Sequence, residues 1–184
     1  MDNTEDCLVI KSADIHTKGR PPEDILSNLC GNDFCFDDVH CGCMESFLRS
    51  LSWKDIKLQR SICFLKADWS ERYVSSEWQT DQTLWWKGEP IGRHSPEYAV
   101  LIRGAYMAMY LWCARFRDAL MGSVGKRLAY DTGNNDPTKA ILTDREFCEV
   151  LTKIREANKA EYGKVIYPRM WPNSYGVDED YDYF

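Results

Sequence analysis

Several stretches of the chain carry apolar residues at helical spacing. In the first of them, one apolar residue stands at each of the positions i, i+3, i+4 and i+7: Met44, Phe47, Leu48 and Leu51. This spacing predicts a helix that begins at Met44 and buries one face. A second helix is predicted over about 54–67, with Leu58, Ile62 and Leu65 directed inward.

The longest predicted helix begins after Ser95. Ser95 is a favourable N-cap residue, Pro96 suits the first helical position, and Glu97 stabilises the positive end of the helix dipole. The apolar face of this helix consists of Tyr98, Leu101, Ile102, Ala105, Tyr106 and Met109. A further helix is predicted from about 113 to 121, with its end near Gly122.

The last predicted helix begins at Thr143. The sequence TDRE is a capping box, in which Thr143 caps the helix and the side chain of Glu146 reaches back to it. Its buried face consists of Phe147, Val150, Leu151 and Ile154. Strand signals are sparse, although DFCFDDV at 33–39 predicts a short strand or an extended arm. We therefore expect a mainly α protein with a small β element, folded as a compact single domain.

The length of 184 residues is typical of one domain with tails. We predict an N-terminal segment over 1–21, a folded domain over 22–158 and a C-terminal extension over 159–184. The extension ends in the acidic and aromatic sequence VDEDYDYF. We interpret that end as a solvated, mobile tail, with partner binding as the alternative.

Composition and charge narrow the functional classes. The net charge of −6 argues against a protein that coats nucleic acid nonspecifically, because such coating requires a basic surface. The aromatic share of 13% suits both core packing and stacking on flat ligands. The first residues do not resemble a signal peptide, and no stretch approaches the ~20 apolar residues of a membrane span. We expect a cytoplasmic protein without a membrane partner.

The eight cysteines are expected to be reduced thiols that mostly pack as small core residues. The grouping of Cys35, His40, Cys41 and Cys43 invites comparison with a zinc site. A closed structural zinc site needs four well-placed ligands, however, and no second matching pair follows downstream. We predict no metal site and no cofactor.

Two polar regions are candidates for chemistry. Glu45 lies about 100° from Met44 around the helix, at the edge of the apolar face, so its carboxylate faces either solvent or a cavity. Asn135 and Asp136 stand in YDTGNNDPTKA at 130–140, which is rich in turn-forming residues. Such a loop either only turns the chain or also directs carboxylates and backbone N–H groups into a pocket.

The segment TDQTLWWKGEPIGRH at 80–94 has two interpretations. Trp85 and Trp86 cannot both face one way in an extended chain, so one is expected in the core and the other is free to cover a ligand. Arg93 is suited to bind a phosphate through two hydrogen bonds. In the alternative, the segment is a hydrophobic connector before the long helix, and Arg93 pairs inside the protein.

An ordered set of segments resembles the NADAR superfamily, also called YbiA-like. These segments are LSN at 26–28, FDDVHCGCMESFLRSL at 36–51, WQTDQTLWWKGEPIGRHSPEY at 78–98 and FRDALMGSVGKRLAYDTGNNDPTKAILTDREFCEVLTKIR at 116–155. The resemblance covers about residues 22–155. It is greatest to the ADP-ribose-guanine glycohydrolase branch, whose motifs read LSNF, FDGV, MEGF, QTLYWQG and LTEREFC.

The resemblance implies a mostly helical fold with a pocket for ADP-ribose-like ligands, and it implies cleavage of N-glycosidic bonds. Some members of the family remove ADP-ribose from guanine in DNA or RNA and thereby reverse toxin-type ADP-ribosylation. Others act on phosphorylated intermediates of riboflavin synthesis. Catalysis in the family is attributed to a lysine that captures the anomeric carbon, aided by a glutamate and an aspartate.

Transferred to this sequence, the resemblance assigns the catalytic glutamate to Glu45 and the aspartate of the D-P motif to Asp136. The lysine should lie shortly before LSN, where Lys18 and Lys11 are available, and we prefer Lys18. The predicted substrate-binding residues are Ser27, Asn28, Trp85, Trp86, Arg93 and Asn135.

We therefore expect an N-glycosidase that removes ADP-ribose from modified nucleobases, with guanine in DNA ranked first. Its partner would be ADP-ribosylated nucleic acid, as a single nucleotide or a single strand, or an ADP-ribose-like small molecule. The alternatives are an N-glycosidase for phosphoribosyl metabolites and a module that binds an ADP-ribose derivative without turnover. Glu45 and Asp136 together favour turnover, because a carboxylate stabilises the oxocarbenium-like state of N-glycoside cleavage. The sequence leaves the oligomeric state open.

Overall fold

Seven α-helices and six short strands form the part of the chain that the computed structural model describes, residues 7–10 and 22–164. The helices are α1 Met44–Ser50, α2 Ile56–Cys63, α3 Ala67–Ser70, α4 Trp78–Asp81, α5 Pro96–Trp112, α6 Ala114–Met121 and α7 Asp144–Asn158. The strands are β1 Cys7–Ile10, β2 Phe34–Phe36, β3 Val39–Cys41, β4 Thr83–Trp86, β5 Glu89–Gly92 and β6 Arg127–Tyr130. A 3-10 turn over Glu71–Tyr73 follows α3. The fold is thus mainly helical with small sheets, as the sequence predicted.

Helix α5 is the centre of the hydrophobic core. Its predicted cap is confirmed, since Ser95 Oγ accepts a hydrogen bond from the Tyr98 N–H at 3.2 Å. The whole predicted apolar face is buried: Tyr98, Leu101, Ile102, Ala105, Tyr106 and Met109. The helix packs against β2, β5, α6 and α7, so it contacts one strand of each hairpin and the last two helices.

Helices α1 and α7 also begin where the sequence predicts. In α1, Met44 and Phe47 are buried, and the thiol of Cys43 accepts the Ser46 N–H as a cap. In α7, the reciprocal capping box of Thr143 and Glu146 is present. The apolar face of α7 lies in the core, which confirms the predicted period.

Helix α2 is shorter than predicted, and its buried face differs. It begins after Asp55, whose Oδ1 accepts the Leu58 N–H at 2.7 Å, and it ends at Cys63 rather than near residue 67. Ile62 is buried as predicted, but Leu58 and Leu65 are only partly buried. The reason is Gln59, whose amide enters the interior and donates to two backbone carbonyls, those of Trp53 at 2.6 Å and Trp85 at 2.7 Å.

The strands form three separate two-stranded sheets. Strand β1 pairs in parallel with β6, with Cys7 opposite Arg127 and Ile10 opposite Tyr130. Because β1 lies within the predicted N-terminal segment 1–21, that segment supplies a strand to the folded domain. The β2–β3 hairpin confirms the strand expected in DFCFDDV. The β4–β5 hairpin covers the tryptophan segment, for which the sequence analysis predicted no strand.

The two hairpins share one turn type and touch through their turns. Asp37, Asp38, Lys87 and Gly88 all have positive φ, as the two central residues of a type I′ hairpin turn require. The Lys87 ammonium lies 3.2 Å from Asp37 Oδ1, and the Trp86 indole N–H donates to Asp37 Oδ2 at 3.0 Å. Asp37 therefore fixes one hairpin against the other.

Replacing Asp38 by glycine is expected to stabilise the fold slightly. Asp38 is exposed and has a φ of 61°, a conformation that costs free energy for a residue with a Cβ atom and little for glycine. The left-handed conformation costs a residue with a Cβ atom about 1–2 kcal/mol, and the greater chain entropy of glycine in the unfolded state offsets about 0.5–1 kcal/mol of this. We therefore expect a net gain of up to about 1 kcal/mol in the free energy of unfolding, measured by chemical denaturation. A decrease in stability would show that the Asp38 side chain makes a stabilising contact.

No helix within the described part of the chain is both long enough and apolar enough to cross a membrane.

Candidate active site

Glu45 lies where the LSN segment meets the first turn of α1. Its backbone N–H donates to the carbonyl of Asn28 at 3.0 Å. Burial of Met44 and Phe47 fixes the rotation of α1 and leaves Glu45 at the edge of the apolar face. The Glu45 side chain is 25% exposed, so the carboxyl group is largely enclosed yet reachable. The structure thus brings together three residues that the sequence analysis selected, Ser27, Asn28 and Glu45.

Two tyrosines from distant elements complete this cluster. The hydroxyl of Tyr106, on α5, donates to Asn28 Oδ1 at 2.6 Å. Tyr130, at the end of β6, interacts electrostatically with the side chain of Ser27. The ring of Phe147 packs against both, with centroid distances of 6.0 Å to Tyr106 and 4.7 Å to Tyr130. The LSN segment is therefore held from α5 and β6 while it supports the start of α1.

The carboxyl group of Glu45 has a perturbed proton affinity. Burial raises its pKa above the ordinary value, and the nearby charge of Glu71 acts in the same direction. Arg49, whose Nε lies 3.0 Å from Glu45 Oε1, opposes this shift but does not cancel it. A carboxyl group of this kind holds its proton to higher pH than an exposed glutamate, as a general acid requires.

The tyrosines beside Glu45 are neutral hydroxyl groups at physiological pH. Burial raises the pKa of Tyr106 far above its ordinary value. Burial, together with the charge of Glu45, raises the pKa of Tyr130 to about 12. Both side chains thus keep their hydroxyl protons, and the cluster combines neutral hydroxyls with one acidic group of raised pKa. Such a set can donate a proton and then stabilise a neighbouring positive charge.

Asp136 and Asn135 lie on an exposed loop. Asp136 Oδ1 accepts hydrogen bonds from the N–H and the hydroxyl of Thr138, at 2.9 and 2.7 Å, and Oδ2 lies 3.6 Å from the Lys139 ammonium. The bonds to Thr138, with help from Lys139, hold the pKa of Asp136 below its usual value. These contacts are those of a turn, which was one of the two interpretations of this loop. A catalytic role for Asp136 stays a prediction.

The two tryptophans face different surroundings. Trp86 is buried, with its ring stacked on Phe36 at 5.8 Å and edge-on to Phe47 at 5.1 Å. This confirms that one of the pair packs in the core, and it leaves Trp86 poorly placed for a ligand. Trp85 is partly buried, and the Lys54 ammonium lies 4.8 Å from its ring centroid. Ligand binding by Trp85 stays a prediction.

Arg93 lies inside the protein, which matches the second interpretation of its segment. It is 1% exposed and forms a bidentate ion pair with Glu146, with N–O distances of 3.0 and 2.6 Å. Its Nε donates to the carbonyl of Ala140 at 3.0 Å, and its guanidinium lies 4.3 Å from the ring centroid of Tyr98. These contacts occupy all three nitrogens, so Arg93 is a structural residue and we no longer assign it to phosphate binding.

The cysteine and histidine residues that were compared with a zinc site are not arranged as metal ligands. All eight cysteines are free thiols, and within residues 7–10 and 22–164 no three His, Cys, Asp or Glu side chains are grouped as metal ligands. Cys35 and His40 pair across the β2–β3 hairpin, whereas Cys43 caps α1. The predicted nucleophile Lys18, and its alternative Lys11, lie outside the described residues.

Sequence reasoning missed Arg49, Tyr106 and Tyr130 as members of the site. Tyr106 was assigned to the apolar face of α5, and nothing in that pattern indicates that its hydroxyl reaches Asn28. Tyr130 is the first residue of the polar loop, which was a weak signal. Arg49 stands four residues after Glu45, the spacing at which opposite charges meet on a helix, and this signal was available.

The fold is similar to that of a solved structure. The NMR structure of the Escherichia coli protein YbiA is similar to this structure, with a TM-score of 0.56 over 84% of this chain and 86% of that chain. The sequence identity is 15%, so this similarity shows a shared fold.

The sequence then gives the family. A family model described as bacteriophage protein GP30.3 matches residues 20–156. An uncharacterized 17.1 kDa protein from the Gp30–rIII intergenic region of Enterobacteria phage T4 is 32% identical over 147 residues, 78% of this chain and 97% of the relative. The chain belongs to the bacteriophage GP30.3 protein family.

Proposed function

We propose that this protein is an N-glycosidase that removes ADP-ribose from modified nucleobases, with guanine in DNA as the first candidate. The observation that carries the proposal is the enclosed carboxyl group of Glu45, whose pKa burial raises. It stands beside the Ser27–Asn28 turn, the buried Tyr106 and the partly buried Tyr130 in a YbiA-like fold.

The chemistry requires a proton and a stabilised cation. When the bond between the anomeric carbon and the base nitrogen breaks, the electron pair leaves with the base, and the sugar becomes oxocarbenium-like. Glu45 in its protonated form donates a proton to the departing base. The carboxylate so formed then faces the positive sugar until a nucleophile adds to the anomeric carbon. In our proposal, that nucleophile is the amine of Lys18, and water subsequently releases the sugar.

The family context supports the biological direction of this reaction. The relative at 32% identity comes from a bacteriophage. A phage protein that strips ADP-ribose from DNA bases would reverse a toxin-type modification imposed by the host and so counteract a defence. The acidic charge of the chain suits a substrate held as a single nucleotide or single strand rather than a duplex gripped along its backbone.

The test uses a single-stranded oligonucleotide that carries one ADP-ribosylated guanine. We expect the purified protein to release free ADP-ribose and restore the unmodified oligonucleotide, both detected by mass spectrometry. The same oligonucleotide without the modification should stay intact. Release of the base from a phosphoribosyl metabolite, with the oligonucleotide untouched, would instead support the metabolite N-glycosidase. Calorimetric binding of ADP-ribose without turnover of either substrate would support the binding module.

A further inference from the structure

The side chain of Arg49 connects Glu45 to α3. On one side, its Nε lies 3.0 Å from Glu45 Oε1. On the other side, its Nη1 donates to the carbonyl of Ala67 at 3.0 Å and to the hydroxyl of Ser70 at 2.8 Å. The Arg49 side chain is 15% exposed, so these contacts lie mostly out of water. One guanidinium thus holds both the acidic group and the neighbouring helix.

This arrangement uses the particular shape of a guanidinium. Its donors lie in a rigid plane, so a bond on one edge fixes the direction of the donors on the other. The Ser70 hydroxyl donates onward to the Ala67 carbonyl at 2.8 Å, which closes the contact on the α3 side. An ion pair on an open helix surface lacks such a second anchor and contributes little. The anchor gives Glu45 a fixed partner in a fixed orientation.

We propose that Arg49 is a positioning residue for Glu45: it orients the carboxyl group, balances its charge and ties it to α3. The proposal rests on the proposed function, in which Glu45 donates the proton and then carries the negative charge. Arg49 would stabilise the carboxylate as it forms, so that the proton leaves Glu45 more readily.

The charged and titratable groups around Glu45 support this role. Tyr106 of α5, Tyr130 of β6 and Cys43 before α1 all interact electrostatically with it, but burial raises the pKa of each. These three are therefore neutral at physiological pH. Among the residues that the structure describes, the charged groups that act on Glu45 are Arg49 and Glu71, in opposite directions. Without Arg49, burial and Glu71 would both act to keep the proton on Glu45.

The direct test is a titration of the Glu45 carboxyl carbon by NMR in protein labelled with ¹³C-glutamate. The Glu45→Gln spectrum assigns the signal. In Arg49→Met, we expect the titration midpoint to rise by about one unit or more, the usual effect of losing an opposite charge at contact distance. Arg49→Gln, a second neutral variant, should shift the midpoint in the same direction. Arg49→Lys keeps the charge and should return it to within about half a unit of the wild-type value.

The control is Arg60→Met, which removes an exposed arginine in the last turn of α2. In this variant, the NMR titration midpoint of Glu45 should equal the wild-type midpoint. A wild-type midpoint in both Arg49→Met and Arg49→Gln would overturn the proposal. Because the titration needs no substrate, this outcome is independent of whether the protein cleaves ADP-ribosylated DNA. Where cleavage is observed, the limb of the pH–rate profile that reports Glu45 should move to higher pH by the same amount in Arg49→Met.

Discussion

Arg93→Ala is expected to lower the free energy of unfolding by about 2–4 kcal/mol, somewhat less than the usual penalty for removing one partner of a fully buried ion pair. The reduction reflects Glu146, whose side chain is 35% exposed and remains partly hydrated after Arg93 is lost. For a chain of this size, the change corresponds to a fall of roughly 5–15 °C in melting temperature.

The large effect follows from the place of Arg93 in the fold. Arg93 directly follows β5, and its partner Glu146 is also the second half of the capping box at the start of α7. The Oε2 atom of Glu146 accepts hydrogen bonds from both Arg93 and the Thr143 N–H, at 2.6 and 2.8 Å. Loss of Arg93 therefore weakens the contact between β5 and α7 and the cap of α7 together.

The natural control is Arg145→Ala, one residue before Glu146. Arg145 also forms an ion pair, 2.7 Å from Glu149, but its side chain is 84% exposed. An exposed i,i+4 pair contributes only about 0.3–0.5 kcal/mol, so this variant should melt almost as the wild type does. Equal melting temperatures for the two alanine variants would show that burial of Arg93 adds nothing.

The effect of Arg93→Ala should also depend on pH. Burial alone would raise the pKa of Glu146, but hydrogen bonds from Arg93 and Thr143 outweigh it, so the pKa lies below the ordinary value of 4.5. A lowered carboxyl pKa contributes stability above the unfolded value, and that contribution is lost as pH falls through the folded value. The stability gap between the wild type and Arg93→Ala should therefore be largest at neutral pH and narrow as pH falls through the range in which Glu146 is protonated in the two proteins.

The helices could be predicted because their signals are local. The cap at Ser95, the capping box of Thr143 and Glu146, and the apolar periods of α1, α5 and α7 all lie within one helix each. The error in α2 has a non-local cause. Gln59 turns inward because Trp53 and Trp85 offer carbonyls to its amide, and no spacing within α2 encodes those partners.

The hairpins and the partner of Arg93 were harder to predict for the same reason. The two hairpin turns consist of Asp37–Asp38 and Lys87–Gly88. Neither pair is the Asn-Gly sequence by which such turns are usually recognised. A bidentate arginine suits an external phosphate as well as an internal carboxylate, so the residue type alone cannot distinguish them. The structure distinguishes these two roles, because the Glu146 carboxylate accepts both hydrogen bonds from the Arg93 guanidinium.

Only part of the candidate site could be predicted from the sequence. The LSN motif and Glu45 were selected through a family resemblance, and the structure brings them into contact through the Asn28 carbonyl. The two tyrosines beside them, Tyr106 and Tyr130, come from far along the chain and are placed by the packing of α5 and β6. A site assembled from segments so distant in sequence becomes visible only when the fold is known.

Glu45→Gln is expected to reduce the release of ADP-ribose from a modified oligonucleotide by at least about 100-fold, the usual effect of losing a general acid or an electrostatic group. The amide has nearly the shape of the carboxyl group but cannot donate an acidic proton or become negatively charged. Its oxygen still accepts a hydrogen bond from Arg49, so the contact from α1 to α3 should persist. The melting temperature should accordingly stay near the wild-type value.

Two further variants make the result specific to Glu45. Glu71→Gln removes an exposed acid whose charge acts on Glu45, and it should change the rate only a few-fold while lowering the pKa of Glu45. Asp136→Asn tests the predicted second carboxylate on its exposed loop: a loss comparable to that of Glu45→Gln would bring the loop into the active site, and an unchanged rate would leave Asp136 as a turn residue. A Glu45→Gln enzyme as fast as the wild type would place the chemistry elsewhere, because the glutamine amide can neither donate an acidic proton nor become negatively charged.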